Sequence, residues 1–185
     1  MRLVIAVSGP IAVGKSVFIG ELVQRFTATR FSTREFIQSL RDVPTERGPL
    51  QDAGESLDRE TDGKWVSECV VERVKSFSDD AVVVIDSVRI AKQVEHLRAR
   101  FGDSVRHVHL TASYDVLASR FRERKERGDP AVADFATYDE ARTNPTEAAI
   151  ESLGDIADVK INTDDLQPAA LVSLAAEQLQ LLPGS

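Results

Sequence analysis

Residues 9–16 read Gly-Pro-Ile-Ala-Val-Gly-Lys-Ser, a complete match to the pattern G-x-x-x-x-G-K-[ST]. Residue types at this spacing do one kind of chemistry. The glycines let the backbone turn tightly, so that successive N–H groups converge on phosphate oxygens. Lys15 brings a point charge to the β- and γ-phosphates, and the Ser16 hydroxyl is placed to ligate Mg²⁺. A helix starting near Lys15 adds the partial positive charge of its N-terminal end. The expected contacts of a bound ATP therefore run over Gly9, Pro10, Ala12, Val13, Gly14, Lys15, Ser16 and Val17. By itself the loop speaks only for a held triphosphate.

Other residues bear on what happens to that phosphate. Asp86 closes an aliphatic run, where a carboxylate beside the loop holds Mg²⁺ directly or through water. Arg89 follows three residues later and Gln93 one helical turn beyond it. Arg120 and Arg124, spaced i, i+4, share a helix face. Planar guanidiniums match the charge that spreads over a transferring phosphoryl group. Glu123 and Glu126 are alternative partners that would make the same stretch an ordinary solvated helix. No hydrolase-type nucleophile and base pair stands out. A phosphate monoester is already an anionic nucleophile at neutral pH, so positioning and charge neutralisation suffice.

These residues need a frame. Arg2–Ser8 and Ala81–Asp86 are near-continuous aliphatic runs, the pattern of strands covered on both faces. Val105–Thr111 and Asp158–Asn162 are shorter versions, and Thr29–Ser32 is a weaker one. Between them the period becomes helical, with stripes at Phe18/Leu22/Phe26, Val66/Val70/Val74, Ile90/Val94/Leu97/Phe101 and Leu171/Leu174/Leu179/Leu182. Strands alternating with helices imply right-handed crossovers and a parallel sheet with helices on both sides, an α/β fold. Residues 42–64 and 122–146, charged and interrupted by Gly and Pro, depart from the alternation and read as excursions above the sheet. Such segments are candidates for acceptor-binding and lid elements.

The 185 residues suit one domain, 1–185, with a full core. Hydrophobic residues at 42% and charged residues at 29% are ordinary for a soluble globular chain. The net charge of −7 argues against a general nucleic-acid binder. Cys69 is the only cysteine, which excludes an intramolecular disulfide and a cysteine-based metal site. The apolar run at residues 2–8 is too short for a signal peptide or membrane span, so a cytoplasmic setting is expected. His107 and His109 point to one face of a strand and read as structural.

Asp86-Ser87-Val88-Arg89 followed by Gln93 resembles the Asp-Gly-Phe-Pro-Arg…Gln segment of the nucleoside monophosphate kinases, small adenylate-kinase-like P-loop enzymes of nucleotide metabolism. The resemblance implies a three-layer P-loop kinase fold, with a five-stranded parallel sheet in the order 2-3-1-4-5 flanked by helices. It also implies ATP and Mg²⁺, a small-molecule nucleotide partner, and transfer to a nucleoside or deoxynucleoside monophosphate giving the diphosphate and ADP. In that family the arginine corresponding to Arg89 binds the acceptor phosphate and the glutamine corresponding to Gln93 contacts the base. Ser87-Val88 stand where the family has Gly-Phe-Pro. Ser32-Thr33-Arg34 sits where the acceptor helices begin, which implies Thr33 and Arg34 as contacts. Arg47…Leu50-Gln51…Gly54…Arg59…Gly63…Trp65 is similar to the acceptor region of phage-type deoxynucleoside monophosphate kinases, adding Arg47, Gln51, Arg59 and Trp65. Arg120 and Arg124 would start the lid and, with Lys15 and Arg89, surround the phosphoryl group. Ala157–Thr163 looks like the last strand and adenine-side loop, with Asn162 beside the ATP base. A monomer or homodimer fits equally.

Two alternatives stay open. The loop is equally close to that of deoxynucleoside kinases, and a kinase acting on a neutral hydroxyl, of a deoxynucleoside or a coenzyme precursor, needs a carboxylate base. A domain that senses ATP and transfers nothing would also carry it.

Overall fold

A computed structural model describes residues 3–165 and 167–179. Arg2 of the first expected strand and Leu182 of the last expected stripe lie outside them.

Five strands, β1 (Leu3–Ser8), β2 (Thr29–Ser32), β3 (Val82–Asp86), β4 (Val105–Thr111) and β5 (Val159–Asn162), form one sheet in the order β2-β3-β1-β4-β5. All four pairings are parallel. The central strand explains its own composition. Val4 through Ser8 are fully buried because helices cover both faces. Ile5 and Val7 pack with Phe18, Ile19 and Leu22 of α1 (Lys15–Phe26) and with Val172 and Ala175 of α9 (Pro168–Gln178). Val4 and Ala6 face the other layer, with Val66 and Val70 of α4 (Trp65–Arg73) and Val94 and Leu97 of α5 (Ala91–Phe101).

Both excursions are helical. The first, preceded by α2 (Thr33–Leu40), becomes α3 (Arg47–Thr61), whose Pro49 falls in the first turn, where a missing N–H costs nothing. The second holds the end of α6 (Tyr114–Glu126), a 3₁₀ turn at Pro130–Val132, α7 (Tyr138–Thr143) and the start of α8 (Pro145–Ser152). Asn144 starts α8 firmly. Its side chain accepts from the Thr146 N–H at 3.0 Å while Pro145 takes the first helical position.

One polar cluster is buried in the sheet. Ser8 Oγ lies 2.7 Å from His107 Nε2 and 2.8 Å from His109 Nδ1, and all three residues are buried. Parallel pairing of β1 with β4 puts them on one face, as the alternation of the strand requires. Burial keeps both imidazoles neutral, lowering each pKa from 6.5 to about 4. The unfolded chain therefore binds more protons than the native one between those values. Stability is full above pH 6.5 and is lost as pH falls toward 4. A histidine moved that far contributes about 3 kcal/mol. The urea midpoint is expected to drop steeply between pH 6.5 and 4.5 in the native protein. A midpoint flat through that window would contradict the neutral pair.

Candidate functional site

The chain leaves the C-terminal end of β1 directly into the glycine loop, between strands that run to opposite edges of the sheet. Ligands of open α/β sheets bind at such a divergence. Gly9 has φ +147, and a Cβ there would meet the Leu110 carbonyl oxygen of β4 at 2.7 Å, so no larger residue fits. Gly14, at φ +97, caps α1, and Ala12 also has positive φ, which curls the backbone N–H groups inward. Lys15 folds over this curve, donating from Nζ to Gly9 O at 2.5 Å and Pro10 O at 2.9 Å. Burial lowers its pKa to about 8, against the opposing pull of Glu147 and Asp86.

That value carries a prediction. Phosphates bind the protonated lysine, so affinity for Mg-ATP is expected to be level below pH 8 and to fall by up to about tenfold per pH unit above it. Calorimetry at pH 8.5 in two buffers of different ionisation enthalpy should register proton uptake on binding, and Lys15→Met should abolish it. Absence of uptake in the native protein would refute the lowered pKa.

Three connections around the loop carry no sequence motif. Thr163, just after β5, donates to Val13 O at 3.0 Å and accepts from Arg120 at 2.9 Å. Arg120 also donates to the Thr163 carbonyl at 2.7 Å, so it braces the end of β5 against the phosphate loop. Glu147 of α8 accepts from the Ile11 N–H at 3.0 Å and from Arg47 at 3.3 Å, and it is buried. A carboxylate thus occupies a backbone donor of the loop from 136 residues away in sequence. Arg30 of β2 is ion-paired with Asp86 at the end of the neighbouring β3.

The phosphate chamber is lined by the loop together with Arg34, Arg89, Arg120, Arg124 and Arg127. Arg124 is aimed by Asp129, which accepts from its Nε at 2.8 Å. Ser16 lines the chamber, and the Asp86 carboxylate is close enough to act on Lys15. Among the described residues no cluster of three or more His, Cys, Asp or Glu forms a metal site. Ser16 and Asp86 offer only oxygen donors, which fit a hard cation such as Mg²⁺ that keeps phosphate oxygens and water in its shell.

A second cavity adjoins the chamber, and Ser87 and Arg89 line both. Arg89 is half-buried, and desolvation lowers its pKa, although a guanidinium stays charged at neutral pH. Among the described residues its guanidinium has no hydrogen-bond or ion-pair partner. Gln93 fixes the backbone beneath it. Gln93 Oε1 accepts from the Arg89 N–H at 2.8 Å, and its Nε2 donates to Asp58 Oδ1 at 2.8 Å. Trp65 donates to the same Asp58 oxygen at 2.7 Å. Both Gln93 and Trp65 are buried in the cavity wall.

The remaining expected contacts divide. Thr33 lines this cavity, its Oγ1 3.3 Å and 3.2 Å from the carbonyl oxygens of Asp86 and Ser87. Gln51 lines it too, donating to Glu55 and to Thr146 at 3.0 Å each. Arg47 faces the chamber and ties α3 to the second excursion, donating to Ala131 O at 2.6 Å and lying 4.7 Å from the Phe135 ring centroid. Arg59 is exposed and lines neither cavity. Asn162 is exposed as well. It caps the turn after β5 by accepting from the Asp164 N–H at 2.7 Å, and Thr163, Asp164 and Asp165 line the chamber in its place.

The family model described as AAA domain matches residues 5–142. No curated protein matches the chain. Among solved structures, the tunicamycin resistance protein of Deinococcus radiodurans gives a TM-score of 0.57 at 18% identity, over 100% of this chain and 99% of that one. Shikimate kinase from Aquifex aeolicus gives 0.57 at 16% identity, over 97% and 96%. A gluconokinase from Sinorhizobium meliloti gives 0.51 at 17% identity, over 96% and 91%. These likenesses bear on the fold, and the 2-3-1-4-5 parallel sheet flanked by helices matches these P-loop kinase neighbours.

Proposed function

This chain belongs to the AAA domain family, and we propose that it transfers the γ-phosphoryl group of ATP to a nucleoside or deoxynucleoside monophosphate. The carrying observation is Arg89, a half-buried guanidinium that makes no hydrogen bond or ion pair among the described residues, at the one place where the phosphate chamber and the second cavity meet. A guanidinium with free donors at such a junction can bind a phosphate through two parallel hydrogen bonds. The reading takes the whole chain as one kinase domain, with residues 42–64 forming the acceptor side and 122–146 the lid.

The reaction then balances simply. An oxygen of the acceptor phosphate forms a bond to the γ-phosphorus, the bond from that phosphorus to the β,γ-bridging oxygen breaks, and ADP leaves. Arg89 holds the acceptor phosphate, while Lys15 and Arg124 meet the charge on the γ-oxygens. Arg120 positions the loop through Thr163. Ser16 and Asp86 would hold Mg²⁺, which would supply positive charge to the bound phosphates. Arg47, seated over Phe135, keeps α3 against the segment that excludes water. Among the described residues no helix is long and apolar enough to cross a membrane.

Glu147 supports a second reading. A carboxylate within reach of Lys15 and Arg89 is what a neutral hydroxyl acceptor requires of a base, and the neighbours include enzymes named as sugar and shikimate kinases. ADP formation with Mg-ATP should be measured across ribo- and deoxynucleoside monophosphates, nucleosides and sugars. Stimulation by monophosphates supports the first reading, and stimulation confined to unphosphorylated acceptors supports the second. ATP binding without any acceptor-dependent turnover would leave a nucleotide sensor.

A further inference from the structure

The second cavity is electrically polarised along its length. Arg89, at its junction with the phosphate chamber, is the only cation lining it among the described residues. Two carboxylates line it from α3, Glu55 and Asp58, one helical turn apart and hence on one face. Each is held by one oxygen and leaves the other without a hydrogen bond. Glu55 Oε1 accepts from Gln51 at 3.0 Å and Thr146 at 2.8 Å, and nothing donates to Oε2. Asp58 Oδ1 accepts from Trp65 and Gln93, and nothing donates to Oδ2. The bonds from Gln51 and Thr146 hold Glu55 below the usual carboxylate range, so it stays ionised. Half-buried Arg89, whose guanidinium makes no hydrogen bond or ion pair among the described residues, independently offers the cavity an anion site where it meets the chamber.

Accepting the monophosphate reading above, we infer that the acceptor carries a base with an exocyclic amino group, selected by Glu55 and Asp58 against thymine and uracil. A nucleotide matches the polarity of the cavity, with its phosphate at Arg89 and its base toward the carboxylates. An unpaired carboxylate oxygen rewards a ring edge that offers amino or amide hydrogens. The carbonyl oxygens flanking N3–H in thymine and uracil are instead repelled by it. A site built to hydrogen-bond a group discriminates strongly against analogues that lack it.

The test compares kcat/KM for the guanine, adenine, cytosine, thymine and uracil monophosphates in the native protein and in Glu55→Gln. Binding of the same nucleotides is read separately from the fluorescence of Trp65, the only tryptophan and part of the cavity wall. At least one amino-bearing base should be favoured by roughly thirtyfold or more over thymine and uracil. Glu55→Gln, whose amide can face a carbonyl, should cut that preference to a few-fold and leave the KM for ATP unchanged. Thymine or uracil nucleotides used or bound as well as the others would overturn the inference, as would a preference that survives in Glu55→Gln. If no monophosphate turns over, but amino-bearing nucleotides still bind preferentially and lose that preference in Glu55→Gln, the selectivity stands and the kinase reading falls.

Discussion

Lys15→Ala is expected to lower kcat by about a thousandfold or more. Removing one fixed donor from developing charge in a water-poor site costs about 10²–10³ in kcat. Here the lost group is a full charge, and in the free protein it is already folded over the loop carbonyls it must leave to reach a phosphate. The KM for ATP should rise as well, but by less, because the backbone donors of the loop and the N-terminus of α1 remain. Stability is not expected to fall, since Lys15 donates only to two carbonyls of its own loop. Steady-state kinetics beside a urea unfolding curve separates the two effects. Native-like turnover in Lys15→Ala would remove the phosphate loop from the mechanism.

Arg89→Ala carries the second large effect. Its acceptor KM should rise by about a hundredfold, with a smaller loss in kcat and little change in the KM for ATP. Deleting a buried charged partner typically costs 2–5 kcal/mol, and a factor of a hundred lies at the lower end of that range. A structural role predicts something else. An arginine that braced the fold would destabilise it on removal, but this guanidinium has no partner to orphan. Stability should therefore change little in Arg89→Ala. An unchanged acceptor KM would sink the assignment of Arg89.

The frame was legible because its signals are local. Continuous aliphatic runs mark β1 and β3, and the glycine loop follows β1 without a gap. Even the weak strand at Thr29–Ser32 forms, paired with β3. Within the site, legibility follows chain distance. Loop residues and Arg89 belong to contiguous patterns. Glu147, Thr163 and Arg30 matter only through partners in distant segments, and no periodicity announces them. Helix phase explains Arg59. Its neighbour Asp58 faces the cavity, and one residue further along α3 turns the side chain by about 100°. Alternation explains Asn162, since β5 buries Val159 and Ile161 and so turns Asn162 outward. Gln93 and Trp65 line the cavity, and their polar atoms are spent on Asp58 and the Arg89 backbone. The wall they build leaves Glu55 and Asp58, which no motif picked out, with oxygens free toward a ligand.

A phosphorylated acceptor seated at Arg89 fixes where the γ-phosphoryl group must go. The protein is incubated with Mg²⁺, ATP radiolabelled at the γ-phosphate, and a mixture of nucleoside monophosphates, and the label is then located. Label is expected in the β-phosphate of a nucleoside diphosphate, strongly reduced in Arg89→Ala. Label appearing on a previously unphosphorylated hydroxyl, or only as free phosphate, would contradict it.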